Sequence, residues 1–248
     1  MRVTGEVRFP GDLDITRGEH LSSLLERVGG LTDQAYPYGA IFLRRRAAAA
    51  ERESNLREAR ELESQIANIT IAPTSVTLDS SVSASGTTSV LAALAQQLRN
   101  APALGRITIT ADPAILRVKP ELDILLEPGD RLLIPKRPST VTVSGEVLNS
   151  GSFQYEAGES VDDYIERAGG TTEGADSSRV FVVLPDGSAR SVTQNWLSFS
   201  KPNLMPPGAT VVVPRDVRPF NLELFARDWT TITSQLAVTA ASLVVLTK

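Results

Sequence analysis

The sequence contains no cysteine. Disulfides, thiolate nucleophiles and cysteine-ligated metals are therefore excluded, although the absence fits an oxidising compartment as well as a reducing one. It contains one histidine, His20. A single imidazole without thiolates makes no recognisable metal site, so His20 reads as a surface residue at the start of a helix. Aromatic residues are only 5% of the chain, which does not favour a high-affinity sugar platform. Tyr155, Tyr164 and Trp196 are expected in the core or half-buried. Excess positive charge is also missing: 25 Lys and Arg stand against 29 Asp and Glu, a net charge of −4. That leaves no electrostatic footprint for nucleic acid as a partner. The sequence lacks a nucleophile elbow, a phosphate-binding glycine loop and a dinucleotide fingerprint. Asp162, Asp163 and Glu166 cluster, but at the start of a helix the backbone dipole favours acids. No catalytic residue, no metal site and no cofactor is expected, and the chain is read as non-enzymatic.

What the chain does hold is a block used twice. The first copy reads Val3-Thr4-Gly5-Glu6-Val7, then Pro10-Gly11, Gly18-Glu19 and Leu25-Glu26-Arg27-Val28-Gly29-Gly30. The second reads Val143-Ser144-Gly145-Glu146-Val147, then Gly151, Gly158-Glu159 and Ile165-Glu166-Arg167-Ala168-Gly169-Gly170. Each residue of the second copy stands 140 positions after its counterpart, as Val143 does after Val3. About a dozen of some thirty positions are identical, which marks an internal duplication. A second echo closes each copy. Leu126-Glu127-Pro128-Gly129-Asp130 leads to Leu132-Leu133-Ile134-Pro135, and Pro206-Pro207-Gly208-Ala209 leads to Val211-Val212-Val213-Pro214. Pro207 follows Pro128 by 79 positions, so the first copy carries about sixty extra residues within it.

At 248 residues, 42% hydrophobic and 22% charged, the chain has room for two small folded domains. Residues 3–19 alternate in hydrophobicity and predict a β-hairpin around Pro10-Gly11. Leu21, Leu24, Leu25 and Val28 predict a short helix ended by Gly29-Gly30, which take the left-handed cap conformation cheaply. Ile41-Phe42-Leu43 predicts a buried strand. Arg44 to Ala67 lacks Gly and Pro and is rich in Ala, Glu and Arg. Leu56, Ala59, Leu62 or Glu63, Ile66 and Ile69 mark its apolar stripe, and Glu53 with Arg57, then Arg57 with Glu61, are spaced for helical ion pairs. Its charges read as a solvated helix face. Thr74 to Thr88 predicts a loop, with Thr87 or Thr88 capping a second helix that buries Val90, Leu91, Leu94 and Leu98. The insertion is thus a helical hairpin over about 44–101. Ile107 to Thr110 and Ile115 to Val118 return to extended chain, and Leu132 to Ile134 closes the first domain. Lys136-Arg137-Pro138-Ser139 is the linker. The second copy adds strands at Phe153 to Tyr155, Val180 to Leu184, Ala189 to Val192 and Val211 to Val213, with a turn at Pro185-Asp186-Gly187. The expected domains are 1–137, 138–218 and a C-terminal helix in 219–248.

Trp229 to Thr247 contains no charged residue. Its length is close to the roughly twenty residues that span a bilayer. On a helical wheel Trp229, Ile232, Leu236, Ala240, Leu243 and Val244 share one face, the lipid-facing candidates. Thr230, Thr231, Ser234, Gln235, Thr239 and Ser242 lie opposite, the lumen-facing candidates. An uncharged amphipathic helix suits a stave in an oligomeric barrel. A helix docked on the protein's own core or on a partner is the other reading. No signal peptide opens the chain, so it is either cytosolic or a processed or truncated form.

The pattern V-x-G-E-V…G…G-E…E-R-x-G-G-x-T, closed by L-x-P-G-D-x-L-x-I-P, resembles the SLBB (soluble-ligand-binding β-grasp) domain. Two such domains before an uncharged amphipathic helix resemble the bacterial outer-membrane polysaccharide export proteins. That resemblance implies an α+β fold with two tandem β-grasp domains, the first with an inserted helical hairpin. It implies a capsule or exopolysaccharide export channel located in the periplasm and outer membrane. The β-grasp domains would stack as rings of a homo-oligomer, and the C-terminal helix would form an outer-membrane barrel. Implied partners are the polysaccharide, the outer membrane and an inner-membrane polysaccharide co-polymerase. The export domain, signal peptide and lipidated cysteine that precede the first repeat in that family are not in this sequence, which points to a truncated form or a shortened accessory relative. A soluble periplasmic carbohydrate-binding or assembly module of a secretion system is the alternative.

Overall fold

A computed structural model of the chain describes residues 1–71, 80–192 and 204–216. The duplication in the sequence becomes a duplication of topology. In the first copy β1 (Arg2–Gly5) runs parallel to β5 (Arg131–Ile134) in the middle of a five-stranded sheet. β2 (Gly11–Asp12) flanks β1, and β3 (Ile41–Leu43) and β4 (Arg106–Ile107) continue beyond β5. The order is β2-β1-β5-β3-β4. In the second copy β6 (Thr140–Gly145), β7 (Gly151–Gln154), β8 (Phe181–Val183), β9 (Ala189–Ser191) and β10 (Thr210–Val213) form the order β7-β6-β10-β8-β9, the same arrangement. The register repeats too: Val3 pairs with Leu132 and Gly5 with Ile134, as Val143 pairs with Val211 and Gly145 with Val213. Both copies are β-grasp domains in an α+β fold, as the family resemblance implied.

Each sheet grasps one short helix, α1 (Leu21–Arg27) in the first copy and α5 (Val161–Arg167) in the second. Leu21, Leu24 and Leu25 of α1 are buried against Val3, Phe42, Leu132 and Ile134. Each such leucine contributes roughly 1.5–3 kcal/mol by leaving water. Val161 and Tyr164 of α5 pack into the core made by Val143, Val182, Val211 and Val213. Tyr164 keeps its hydroxyl satisfied by accepting the Glu156 N–H at 2.9 Å, so a polar tip costs little there.

The first reversal differs from the sequence expectation. β1 ends at Gly5, and Pro10-Gly11 does not form its turn, since Gly11 already belongs to β2. The cause is Gly5 itself, with φ +86°. A β-carbon there would meet the Ile134 carbonyl oxygen at 2.0 Å, and one at Gly145 would meet that of Val213 at 2.0 Å. The chain therefore leaves the ladder at this glycine in both copies.

Between β3 and β4 the chain makes two long helices, α2 (Arg45–Ile71) and α3 (Ser80–Asn100), and a short helix α4 (Pro113–Val118) follows β4. Ala59 on α2 and Leu91 and Ala95 on α3 are buried, and Arg99 bonds Glu63 between the two helices at 2.6 Å. Glu53 and Arg57 form the expected pair at 2.9 Å. Two readings are corrected. α3 starts at Ser80, upstream of Thr87 and Thr88, because helix propagation carries through the Ser- and Thr-rich start. Ile115 to Val118 is helical, because Asp112 accepts the Ala114 N–H at 2.8 Å and Pro113 fits the first turn.

Candidate functional site

The repeated motif is the first place to look for chemistry, and its polar residues prove to be occupied by the fold. The Glu6 carboxylate accepts the Thr32 hydroxyl at 2.5 Å, and the Glu146 carboxylate accepts that of Thr172 at 2.8 Å. The backbone of each threonine closes the same contact, donating to the glutamate carbonyl at 3.2 and 3.1 Å. Arg27 pairs with Glu19 at 3.3 Å and donates to the Asp14 carbonyl. Arg167 repeats this with Glu159 at 2.8 Å and the Gln154 carbonyl. Gly29, Gly30, Gly169 and Gly170 all take positive φ and end their helices. The motif is thus a scaffold, with its threonine, glutamate, arginine and glycine positions each holding a turn or a cap.

The structure scatters the residues selected from the sequence. His20 is exposed at the N-cap of α1, and no group of three or more metal-binding side chains exists among the described residues. Asp163 forms a capping box with Ser160, accepting its N–H and hydroxyl at 2.7 Å each. These bonds hold the Asp163 carboxyl below its usual range. Tyr164 is buried and Tyr155 half-buried. Trp196 lies outside the described residues, as do Trp229, Thr230, Thr231, Ile232, Ser234, Gln235, Leu236, Thr239, Ala240, Ser242, Leu243 and Val244. Among the described residues no helix is long and apolar enough to cross a membrane.

Beside the helical insertion, the copies differ at one buried ion pair. Asp130, 1% exposed, accepts three bonds from Arg44, at 3.1, 3.3 and 2.8 Å, and one from the Glu127 N–H. Arg44 also meets Glu127 at 3.4 Å and stacks on Phe42. The bond to Asp130 raises the affinity of the Arg44 guanidinium for its proton. In the second copy the matching residues are Leu184 and Ala209, both buried and apolar. The reason lies next door. β8 and β9 are joined by a tight turn at Pro185-Asp186-Gly187, whereas β3 and β4 are joined through α2 and α3. Entry and exit of that insertion meet where the Arg44 N–H donates to the Gly105 carbonyl at 2.9 Å. A β-carbon on Gly105 would sit 2.3 Å from the Arg44 carbonyl oxygen. Sequence reading missed this pair, although the coupled change from Arg and Asp to Leu and Ala was visible between the aligned copies.

A junction joins the two β-grasp domains. Tyr36 N–H donates to the Pro135 carbonyl, Arg137 N–H to Gln34, and Tyr155 N–H to Ser139. The expected linker, Lys136 to Ser139, is therefore tied down on both sides. Tyr36 and Tyr38 meet edge to face at 6.0 Å. Burial, with smaller effects from Tyr38, Tyr155 and Asp186 against Arg137, pushes the Tyr36 phenol up to about 12. Arg106 of β4 reaches across and donates to the Pro185 carbonyl at 3.1 Å. One depression is lined by Val161, Val182, Leu184, Val192 and Met205, and another by Ser22, Leu25, Glu26, Leu116 and Arg117, where the Ser22 hydroxyl is held by the Asp123 carboxylate at 2.6 Å.

The SLBB domain model matches residues 1–54 and 140–193, the starts of the two sheets. The polysialic acid transport protein KpsD of Escherichia coli is 31% identical over 166 residues, 65% of this chain and 28% of that protein. A second Escherichia coli KpsD sequence is 30% identical over the same length. The uncharacterised protein YjbG of Escherichia coli strain K12 is 31% identical over 122 residues, 49% of each chain. The aligned stretch spans little more than a quarter of the KpsD proteins. The two copies of the repeated block are SLBB domains, and the chain is a tandem SLBB protein homologous to KpsD-type polysaccharide transport proteins.

Proposed function

We propose that this chain is a non-enzymatic subunit of a bacterial capsule or exopolysaccharide export channel. The observation that carries the reading is the alignment with KpsD across 166 residues, more than one SLBB repeat can supply. Its motif glutamates and arginines are engaged in turns and caps, which supports a scaffold rather than a catalyst. In this reading residues 1–137 and 138–218 are the two SLBB domains, stacked as periplasmic rings of a homo-oligomer. Residues 219–248 form an outer-membrane barrel stave, with Leu236 and Leu243 toward lipid and Ser234 and Thr239 toward the lumen. Polysaccharide passes through the ring by weak hydrated contacts, delivered by an inner-membrane co-polymerase.

The direct test is the mass of the protein extracted in mild detergent. The reading predicts a closed homo-oligomer seen as a ring in projection. A strictly monomeric chain, with residues 219–248 protected on its own domains, would contradict it.

A further inference from the structure

Arg106 is the one described residue with a buried side-chain polar atom, its Nε, that has no hydrogen-bond partner. Such groups are rare in folded proteins and call for an explanation. Arg106 leaves the edge strand β4 of the first SLBB domain and enters the β8–β9 turn of the second. Its terminal nitrogen donates to the Pro185 carbonyl at 3.1 Å. Its guanidinium lies against Gly187, where a β-carbon would approach Cζ to 2.6 Å. The neighbouring anion, Asp186, is engaged elsewhere: it accepts the Ser188 N–H at 2.8 Å and the Ser188 hydroxyl at 2.6 Å. Arg106 therefore spans the domain boundary on one neutral carbonyl. A half-buried cation whose buried Nε has no partner is sensitive to the placement of the turn that supplies its one carbonyl. Burial pulls its affinity for a proton down, and Asp186 only partly restores it.

We propose that Arg106 and the Pro185–Gly187 turn form a releasable latch that sets the angle between the two SLBB domains. The latch closes when the turn offers its carbonyl and its bare Gly187 face. It opens when the turn withdraws, and the domains then stay joined only through residues 135–139 and the strand-like bonds that flank them. Gly187 is required twice over, by its φ of +87° and by the guanidinium above it. The aromatic pair Tyr36 and Tyr38 supports the same junction from the first domain.

The absence of cysteine makes the test simple, because two introduced cysteines are the only labelling sites. Arg17→Cys and Glu173→Cys, both exposed, carry spin labels on the full chain, one per domain. Pulsed electron resonance should give a single narrow distance distribution in the parent. Arg106→Ala and Arg106→Gln should each broaden it at least about twofold, with circular dichroism unchanged. Gln keeps most of the side-chain length but not the charge, and guards against a simple folding defect in Ala. Exposed Arg190→Ala, beside the junction, should leave the distribution narrow. Distributions as narrow as the parent in both Arg106 variants would overturn the latch, as would equal broadening by Arg190→Ala.

Discussion

At the scale of single residues, one buried pair marks the difference between the two copies. Arg44 and Asp130 lie 86 positions apart and are joined by paired bonds in a largely buried site. Removing one partner of a buried pair leaves an uncompensated charge, whereas removing both in favour of apolar groups is often neutral. Asp130→Ala should therefore cost about 3–5 kcal/mol in chemical denaturation. The double change Arg44→Leu with Asp130→Ala, which copies the second domain, should recover most of that loss, and a merely additive double mutant would refute the coupling. A second residue-scale expectation concerns acid. The Asp163 carboxyl titrates lower folded than unfolded, so its contribution is complete above the ordinary carboxylate range. It is lost as pH falls through the lower folded value. Asp163→Asn should flatten that part of the stability–pH curve, followed by thermal melting between about pH 2 and 5. The capping box was only half legible in the sequence: Asp162 and Asp163 announced a helix start, but the donor of the second bond, Ser160, emerged only from the backbone geometry.

Elements were legible where one physical cause dominates. The glycine pairs, the α1 leucines and the β3 and β10 apolar runs each admit a single reading, and each forms the element expected. Legibility failed where causes compete. Ile115 to Val118 is a short apolar run, equally good for strand or helix until Asp112 and Pro113 fix its start. The long-range bond between Arg44 and Asp130 leaves no local signal at either residue. The aligned repeats recover it, because the insertion replaces a hairpin turn of the second copy. That equivalence has a test. Residues 44–105 can be replaced by the second copy's Leu184-Pro185-Asp186-Gly187-Ser188 sequence, with Asp130→Ala alongside. The result should be a cooperatively folded pair of SLBB domains that has lost the helical signal of α2 and α3, by circular dichroism and melting. An unfolded product would show that the insertion is part of the first domain's stability rather than an addition to it.

At the scale of the molecule the duplication supplies a frame twice, and its repeated polar positions are consumed in building that frame. What separates this chain from a plain double β-grasp is the helical insertion, the junction at Arg106 and the uncharged stretch from Trp229 to Thr247. The proposed export role rests on the homology to KpsD and calls for no catalytic site. The most direct measurement is the location of polysaccharide in the source bacterium after deletion of this gene. The export reading predicts that polymer disappears from the cell surface, accumulates inside the envelope, and returns to the surface when the gene is restored. Unchanged surface polymer in the deletion strain would contradict it.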